Sequence, residues 1–186
     1  DTIFLLPALF LFLCFCNVLK KVEIGIDLCS DAWWNKINSI ELTEYVKNIK
    51  SVNIRDDYGF TPLHFAVSNN DPKKIQILLN MGANVNAKSH YGFTPIYHAV
   101  GKNGNLKIVN LLLMSGARVN IKNRDGITPL HYAAWGSADK IDSLLEAGAK
   151  PNAISKSGRT PYDMALENDD LTGSDTLRIL KEAVTN

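Results

Sequence analysis

Four histidines, His64, His90, His98 and His131, are the side chains of this 186-residue chain whose unperturbed pKa lies near neutrality. A histidine does acid–base or nucleophilic work when a hydroxyl, thiol or carboxylate stands within reach. It holds a metal when further ligands follow at a short, fixed spacing. Neither pattern is present. There is no G-x-S-x-G elbow, no H-E-x-x-H and no Walker A loop. Gly101-Lys102-Asn103-Gly104 has the outline of a phosphate loop but lacks the Gly-Lys-Ser/Thr element, so it reads as a turn. The acidic residues are scattered without an acid–base pair. Cys14, Cys16 and Cys29 form no paired zinc motif, and Cys14 and Cys16 sit in an apolar run as small fillers. The pattern thus calls for no catalytic residue, no metal and no cofactor.

Composition narrows the function further. Hydrophobic residues make up 46% and charged residues 21%, the balance of a globular protein. At this length about 70% of the unfolded surface is buried on folding, so no disulfide or metal staple is needed. The net charge of +1 argues against a broad nucleic-acid surface, which calls for a basic excess.

The elements around the histidines repeat. Gly-x-Thr-Pro occurs at Gly59, Gly92, Gly126 and Gly158, and its threonines Thr61, Thr94, Thr128 and Thr160 are 33, 34 and 32 residues apart. The residues that follow are Leu63-His64-Phe65-Ala66, Ile96-Tyr97-His98-Ala99, Leu130-His131-Tyr132-Ala133 and Tyr162-Asp163-Met164-Ala165. A second signature recurs behind each of the first three: Gly82-Ala83-Asn84-Val85-Asn86, Gly116-Ala117-Arg118-Val119-Asn120 and Gly148-Ala149-Lys150-Pro151-Asn152. Over about residues 50–168 the chain resembles the ankyrin-repeat family, whose period is 33 and whose core reads T-P-L-H-x-A.

The local physics points the same way. Threonine is a good N-cap, and proline suits the first turn of a helix, where its missing N–H costs nothing. A first helix is expected over 62–68, a turn at Asn69 to Asp71, and a second helix over 72–81. Ile75, Leu78 and Leu79 share one face of that second helix, as Leu106, Val109 and Leu113 do in the next copy. Gly82, Gly116 and Gly148 suit left-handed ends of the second helices, and the Gly-x-Thr-Pro glycines suit tight turns. The expected fold is all-α, a solenoid of helix–turn–helix units with β-turn fingers.

At least three stacked units are needed for a continuous core. Residues 56–168 carry the standard repeats. Residues 20–55 read as a degenerate N-terminal capping unit, with a helix from Ser30 through Trp33 and Trp34, which seal the stack, and a partner helix over Glu41 to Ile49. Residues 169–186 supply a C-terminal capping helix, Thr176 to Val184, with Arg178, Lys181 and Glu182 on its polar side.

Ile3 to Leu19 forms a run of seventeen residues without a charge, and residues 1–19 stand outside the repeat pattern. The run has the length of a signal-peptide core and of a short membrane span. As a signal peptide it would be cleaved after Cys16, following Cys14-Phe15-Cys16, and the chain would be secreted. As an anchor, Lys20 and Lys21 would leave the repeats in the cytoplasm.

The resemblance implies a protein-binding module rather than an enzyme. It implies that His64 and His131, at the T-P-L-H position, are structural members of the loop hydrogen-bond network; Tyr97 and Asp163 stand at that place in the other copies. It puts partner-binding residues on the fingers: Asp57, Tyr58 and Phe60; His90, Tyr91 and Phe93; Arg124, Asp125 and Ile127; Lys156, Ser157 and Arg159. The first-helix exits add Ser68, Asn69, Lys102 and Trp135. Tyrosine, tryptophan and arginine dominate binding hot spots, so Tyr58, Tyr91 and Trp135 are the expected apolar centre. Arg124, Lys156 and Arg159 make the C-terminal fingers basic, which suits a partner with an acidic side. The expected partner is a protein, not a nucleic acid. A membrane enters only through an uncleaved N-terminal run. The alternatives are a secreted, toxin-like ankyrin protein and a membrane-tethered cytosolic adaptor. Spider latrotoxins are similar in joining an export signal to ankyrin repeats, but they have a long helical region before the repeats and many more copies.

Overall fold

The computed structural model describes residues 36–48 and 51–185. The apolar run over residues 3–19, the cleavage position after Cys16, the Ser30–Trp34 helix and Ile49 lie outside the described residues.

Helices α1 (Ser39–Asn48), α3 (Pro72–Asn80), α5 (Leu106–Met114), α7 (Ala138–Glu146) and α9 (Asp175–Thr185) stack as one layer. The shorter helices α2 (Pro62–Ser68), α4 (Pro95–Val100), α6 (Pro129–Ala133) and α8 (Pro161–Ala165) stack as the other. Each short helix packs against the long helix that follows it, and α2, α4 and α6 each pack against the short helix of the next copy. Helices of five to seven residues do not persist alone in water, so packing holds them. The core between the layers contains Leu63, Ile75, Leu78, Ile96, Ile108, Leu112, Leu130, Ile141 and Leu144, all fully buried. No described residue lies in a strand, and no described helix is long and apolar enough to cross a membrane.

Local signals set the boundaries. Thr61, Thr94, Thr128 and Thr160 precede the short helices with extended backbones, each followed by proline. Asp71 caps α3 by accepting from the N–H groups of Lys73 and Lys74, and Asn105 caps α5 through Lys107 N–H. In the turn before α3, Asn70 takes a left-handed backbone (φ 52°), which asparagine tolerates better than most residues. Helix α1 begins at Ser39, two residues before the expected start. Asn38 Oδ1 accepts from the N–H groups of Ile40 and Glu41, and Asn38 N–H donates back to Glu41, a capping box.

The buried stripe of α5 differs from the expected one. Ile108, Val109 and Leu112 are buried, whereas Leu106 and Leu113 are half-buried. A helix packed between α3 and α7 on its flanks and α4 in front turns the middle of its apolar arc inward. Residues at the edges of the arc then face the outer rim.

Candidate functional site

Between copies the chain forms a finger, closed the same way each time. In the first, Asp56 N–H donates to Phe60 O and Gly59 N–H donates to Asp56 O. The side chain of Asp56 accepts from the N–H groups of Tyr58 and Phe60. Ser89, Asn123 and Ser155 close the next fingers with the same backbone pair.

Successive fingers are joined by one backbone hydrogen bond each: His90 N–H to Tyr58 O at 2.7 Å, Arg124 N–H to Tyr91 O at 2.9 Å, and Lys156 N–H to Asp125 O at 2.8 Å. This close approach requires glycine. A Cβ on Gly92, whose φ is 84°, would stand 2.9 Å from the Cα of Asn123.

A second ladder runs behind the fingers, on residues to which the sequence reading gave no role. The side-chain amides of Asn53, Asn86 and Asn120 donate to the carbonyls of Gly82, Gly116 and Gly148. Their oxygens accept from the N–H groups of Asn84, Arg118 and Lys150. The recurrence of Val-Asn at Val52-Asn53, Val85-Asn86 and Val119-Asn120 was the available signal.

The T-P-L-H histidines are buried connectors. Nδ1 of His64 accepts from Thr61 N–H at 3.0 Å and lies 2.9 Å from Thr61 Oγ1, while Nε2–H reaches Phe93 O at 3.1 Å. His131 repeats this with Thr128 and with Arg159 O. This geometry suits the neutral ring with its proton on Nε2. Burial holds the His64 pKa at about 3, and burial pushes His131 down as well. At that value the His64 ring stays uncharged near neutrality.

In the second copy Tyr97 takes over. Its hydroxyl lies 2.6 Å from Ile121 O and 2.7 Å from Ile127 O, and burial pushes its pKa up, so the donating proton stays in place. The tyrosine reaches the next copy but turns away from Thr94, whose buried Oγ1 has no hydrogen-bond partner among the described residues. In the fourth copy Asp163 closes locally, accepting from Thr160 N–H and Oγ1, both at 2.7 Å.

Lys140, also unassigned from sequence, is a buried cation. Its ammonium donates to Gly101 O at 2.6 Å, tying α7 to the turn of the preceding copy, and burial lowers its pKa.

The matching model is that of ankyrin repeats in three copies, covering residues 32–123 and 98–185. The chain belongs to the ankyrin-repeat family. Ankyrin repeats are protein–protein interaction modules, and the family is typically non-enzymatic.

The ankyrin fingers divide the candidate residues in two. Tyr58 is 59% exposed and Tyr91 48%, and the Arg124 guanidinium lies 5.8 Å from the centre of the Tyr91 ring, a cation–π arrangement. Asp57, His90, Asp125, Lys156 and Ser157 are also exposed. Phe60, Phe93 and Ile127 are half-buried. Phe60 packs edge-on against His64, Phe65 and His98, and Phe93 against Tyr97 and Tyr132. Between the first two copies, Phe60, His64, Phe65, Ser68 and His98 line a cavity of about 210 Å³.

Arg159 does not stand as a free finger cation. It is half-buried, and its guanidinium is 2.7 Å from Glu167 and 3.0 Å from Asp163 O. Trp135 is exposed at the exit of α6 with its ring edge-on to Tyr132. The open cavity beside it, about 380 Å³, is walled by Lys102, Glu167, Asn168, Asp169 and Asp170. The surface next to Trp135 is therefore acidic, whereas the fingers carry the exposed cations Arg124, beside Asp125, and Lys156.

Proposed function

We propose that this ankyrin domain is a non-enzymatic protein-binding module that holds its partner on the finger face, with Tyr58, Tyr91 and Trp135 as apolar anchors and Arg124 setting charge preference. The observation that carries this reading is the exposed Tyr91 ring with Arg124 beside it, on fingers that the backbone rung at 2.9 Å fixes in register. The turn does not need an aromatic there: the equivalent position is Asp125 in the third copy and Ser157 in the fourth. Two exposed tyrosines on rigid neighbouring turns lose little entropy on binding and bring large contact areas. Phe60 and Phe93 support these turns from behind. Arg159, neutralised by Glu167, contributes little to charge selection.

Site-specific photocrosslinking tests the reading. A photoreactive amino acid at position 91 should capture a discrete partner that the same group at position 107, on the outer helix layer, does not. Equal capture from both positions contradicts it. We further propose that residues 3–19 direct the chain to a membrane, as a signal peptide cleaved after Cys16 or as an anchor. The support is the run of seventeen uncharged residues. Mass spectrometry of the N-terminus of protein from its native source distinguishes the two, and uncleaved chain recovered free of membranes would overturn both.

A further inference from the structure

We propose that the open cavity beside Trp135 receives an arginine side chain of the partner protein, with the guanidinium against the Trp135 ring and within reach of the Asp169 and Asp170 carboxylates. The proposal rests on the finger-face reading only in taking Trp135 as a partner contact. Seven residues after the capping threonine the four copies carry Ser68, Gly101, Trp135 and Glu167, so packing calls for no aromatic there. Trp135 is nevertheless 39% exposed, with its ring edge-on to Tyr132 at 5.7 Å. It lines a cavity of about 380 Å³ whose walls come from three copies: Lys102 from the second, Trp135 from the third, and residues 167–170 from the fourth. The cavity therefore lies along the side of the stack, between copies.

Its geometry is set before a partner arrives. The side-chain amide of Asn168 donates to Ala134 O at 2.9 Å and to Gly136 O at 2.8 Å, the carbonyls on either side of Trp135. Its Oδ1 accepts from Asp170 N–H at 3.2 Å. One asparagine thus fastens the acidic bend to the backbone around the tryptophan, across 34 and 32 residues of chain. Gly136 holds the other side. A Cβ there would stand 2.8 Å from Val100 O, so the exit of the third copy lies tight against the second. A pocket held in this way loses little ordering entropy when it is filled.

The charge on the walls selects a cation. Glu167 is already met by Arg159 at 2.7 Å. Asp169 and Asp170 are exposed and form no ion pair with another described residue. They outnumber Lys102, the basic residue on the cavity wall. An anionic group would meet both carboxylates, and an uncharged one would forgo their attraction. Ring and carboxylates together suit arginine. A guanidinium offers a weakly hydrated face to an indole and a fork of N–H donors to carboxylates, whereas the lysine ammonium is compact and strongly hydrated.

Nuclear magnetic resonance of the full chain tests the proposal. The probes are a blocked tripeptide, acetyl-Gly-Arg-Gly-amide, and its uncharged isostere with citrulline in place of arginine. The readout is the indole N–H signal of Trp135, assigned by its loss in Trp135→Phe. The arginine peptide should shift that signal along a saturable curve, with a Kd on the order of millimolar at low salt. The citrulline peptide should bind at least about fivefold more weakly. The arginine peptide should lose a similar factor on the double variant Asp169→Asn, Asp170→Asn. An arginine peptide that leaves the signal in place overturns the proposal. So does equal binding of the citrulline peptide, or of the arginine peptide to the double variant, because charge then has no part in filling the cavity. Tyr91→Ala should leave peptide binding unchanged, so failure of the cavity and failure of the finger-face reading are told apart.

Discussion

The Nε2–H of His131 lies 3.0 Å from the carbonyl oxygen of Arg159, so one imidazole fastens the third copy to the finger of the fourth while its other nitrogen caps the third copy's own short helix. The ring is fully buried, and Thr128, which it meets, is buried with it. The first prediction is that His131→Ala lowers unfolding stability by about 1–3 kcal/mol or more, because it leaves buried groups unpaired and opens a cavity. An unchanged urea midpoint would contradict the connector role.

The two buried histidines give stability a pH dependence with a definite sign. His64 has a folded pKa of about 3, while the unfolded ring keeps its ordinary value near 6.5. Between those values the unfolded chain binds the proton that the native ring refuses. Stability is therefore complete above pH 6.5 and falls as the pH is lowered through the window. The slope is about 1.4 kcal/mol per pH unit for one such ring. His131, shifted down by burial, adds in the same direction. Urea titrations at pH 7 and pH 5 should differ by about 2 kcal/mol or more, and His64→Gln should reduce the difference. Equal stability at the two pH values would sink this account.

Thr94 should behave unlike its counterparts. Its Oγ1 is buried without a hydrogen-bond partner among the described residues, because Tyr97 replaced the histidine that would have met it. Thr94→Val should be neutral or stabilising. Thr128→Val removes a hydroxyl that lies 2.8 Å from His131 and should cost about 1–2 kcal/mol. Thermal melts of the two variants check the contrast, and equal losses would show that Thr94 has a partner after all.

What could be read from the sequence was what is set locally. Threonine before proline, asparagine and aspartate at turns, and glycine after a helix act within a few residues, so the repeat and its helix starts were legible. The fold class followed, because several stacked copies of such a unit bury one continuous core. Features that join distant copies were not legible. Asn53, Asn86 and Asn120 meet carbonyls 28–30 residues away, and Lys140 meets one 39 residues away. Nothing in the type or spacing of those residues names the partner. Arg159 looked like a free finger cation because Glu167, eight residues on, comes beside it only through the bend after α8. For the candidate surface, the sequence ranked finger positions by residue type. The structure divides them by exposure, leaving Tyr58 and Tyr91 outside and folding Phe60 and Phe93 onto the rings behind.

Arg124 gives the finger face a salt-sensitive component with a measurable size. Its cation–π contact is solvent-facing, and the paired Arg159 adds little, so few charges act on a partner. Arg124→Ala should weaken binding of the crosslinked partner by about 1 kcal/mol, with a modest salt dependence. Arg159→Ala should leave affinity nearly unchanged while lowering the melting temperature. The reverse order, read by titration calorimetry and thermal melts, would move charge selection to the fourth finger.

The most direct measurement is the affinity of the captured partner for Tyr91→Ala, set beside Lys107→Glu on the outer helix layer. Tyr91 is exposed, so its truncation should barely move the melting temperature while weakening binding by about 2 kcal/mol, the size of a hot spot. Lys107→Glu should bind as the parent does. If Tyr91→Ala keeps full affinity and Lys107→Glu loses it, the partner sits on the outer helices and the finger-face reading is wrong.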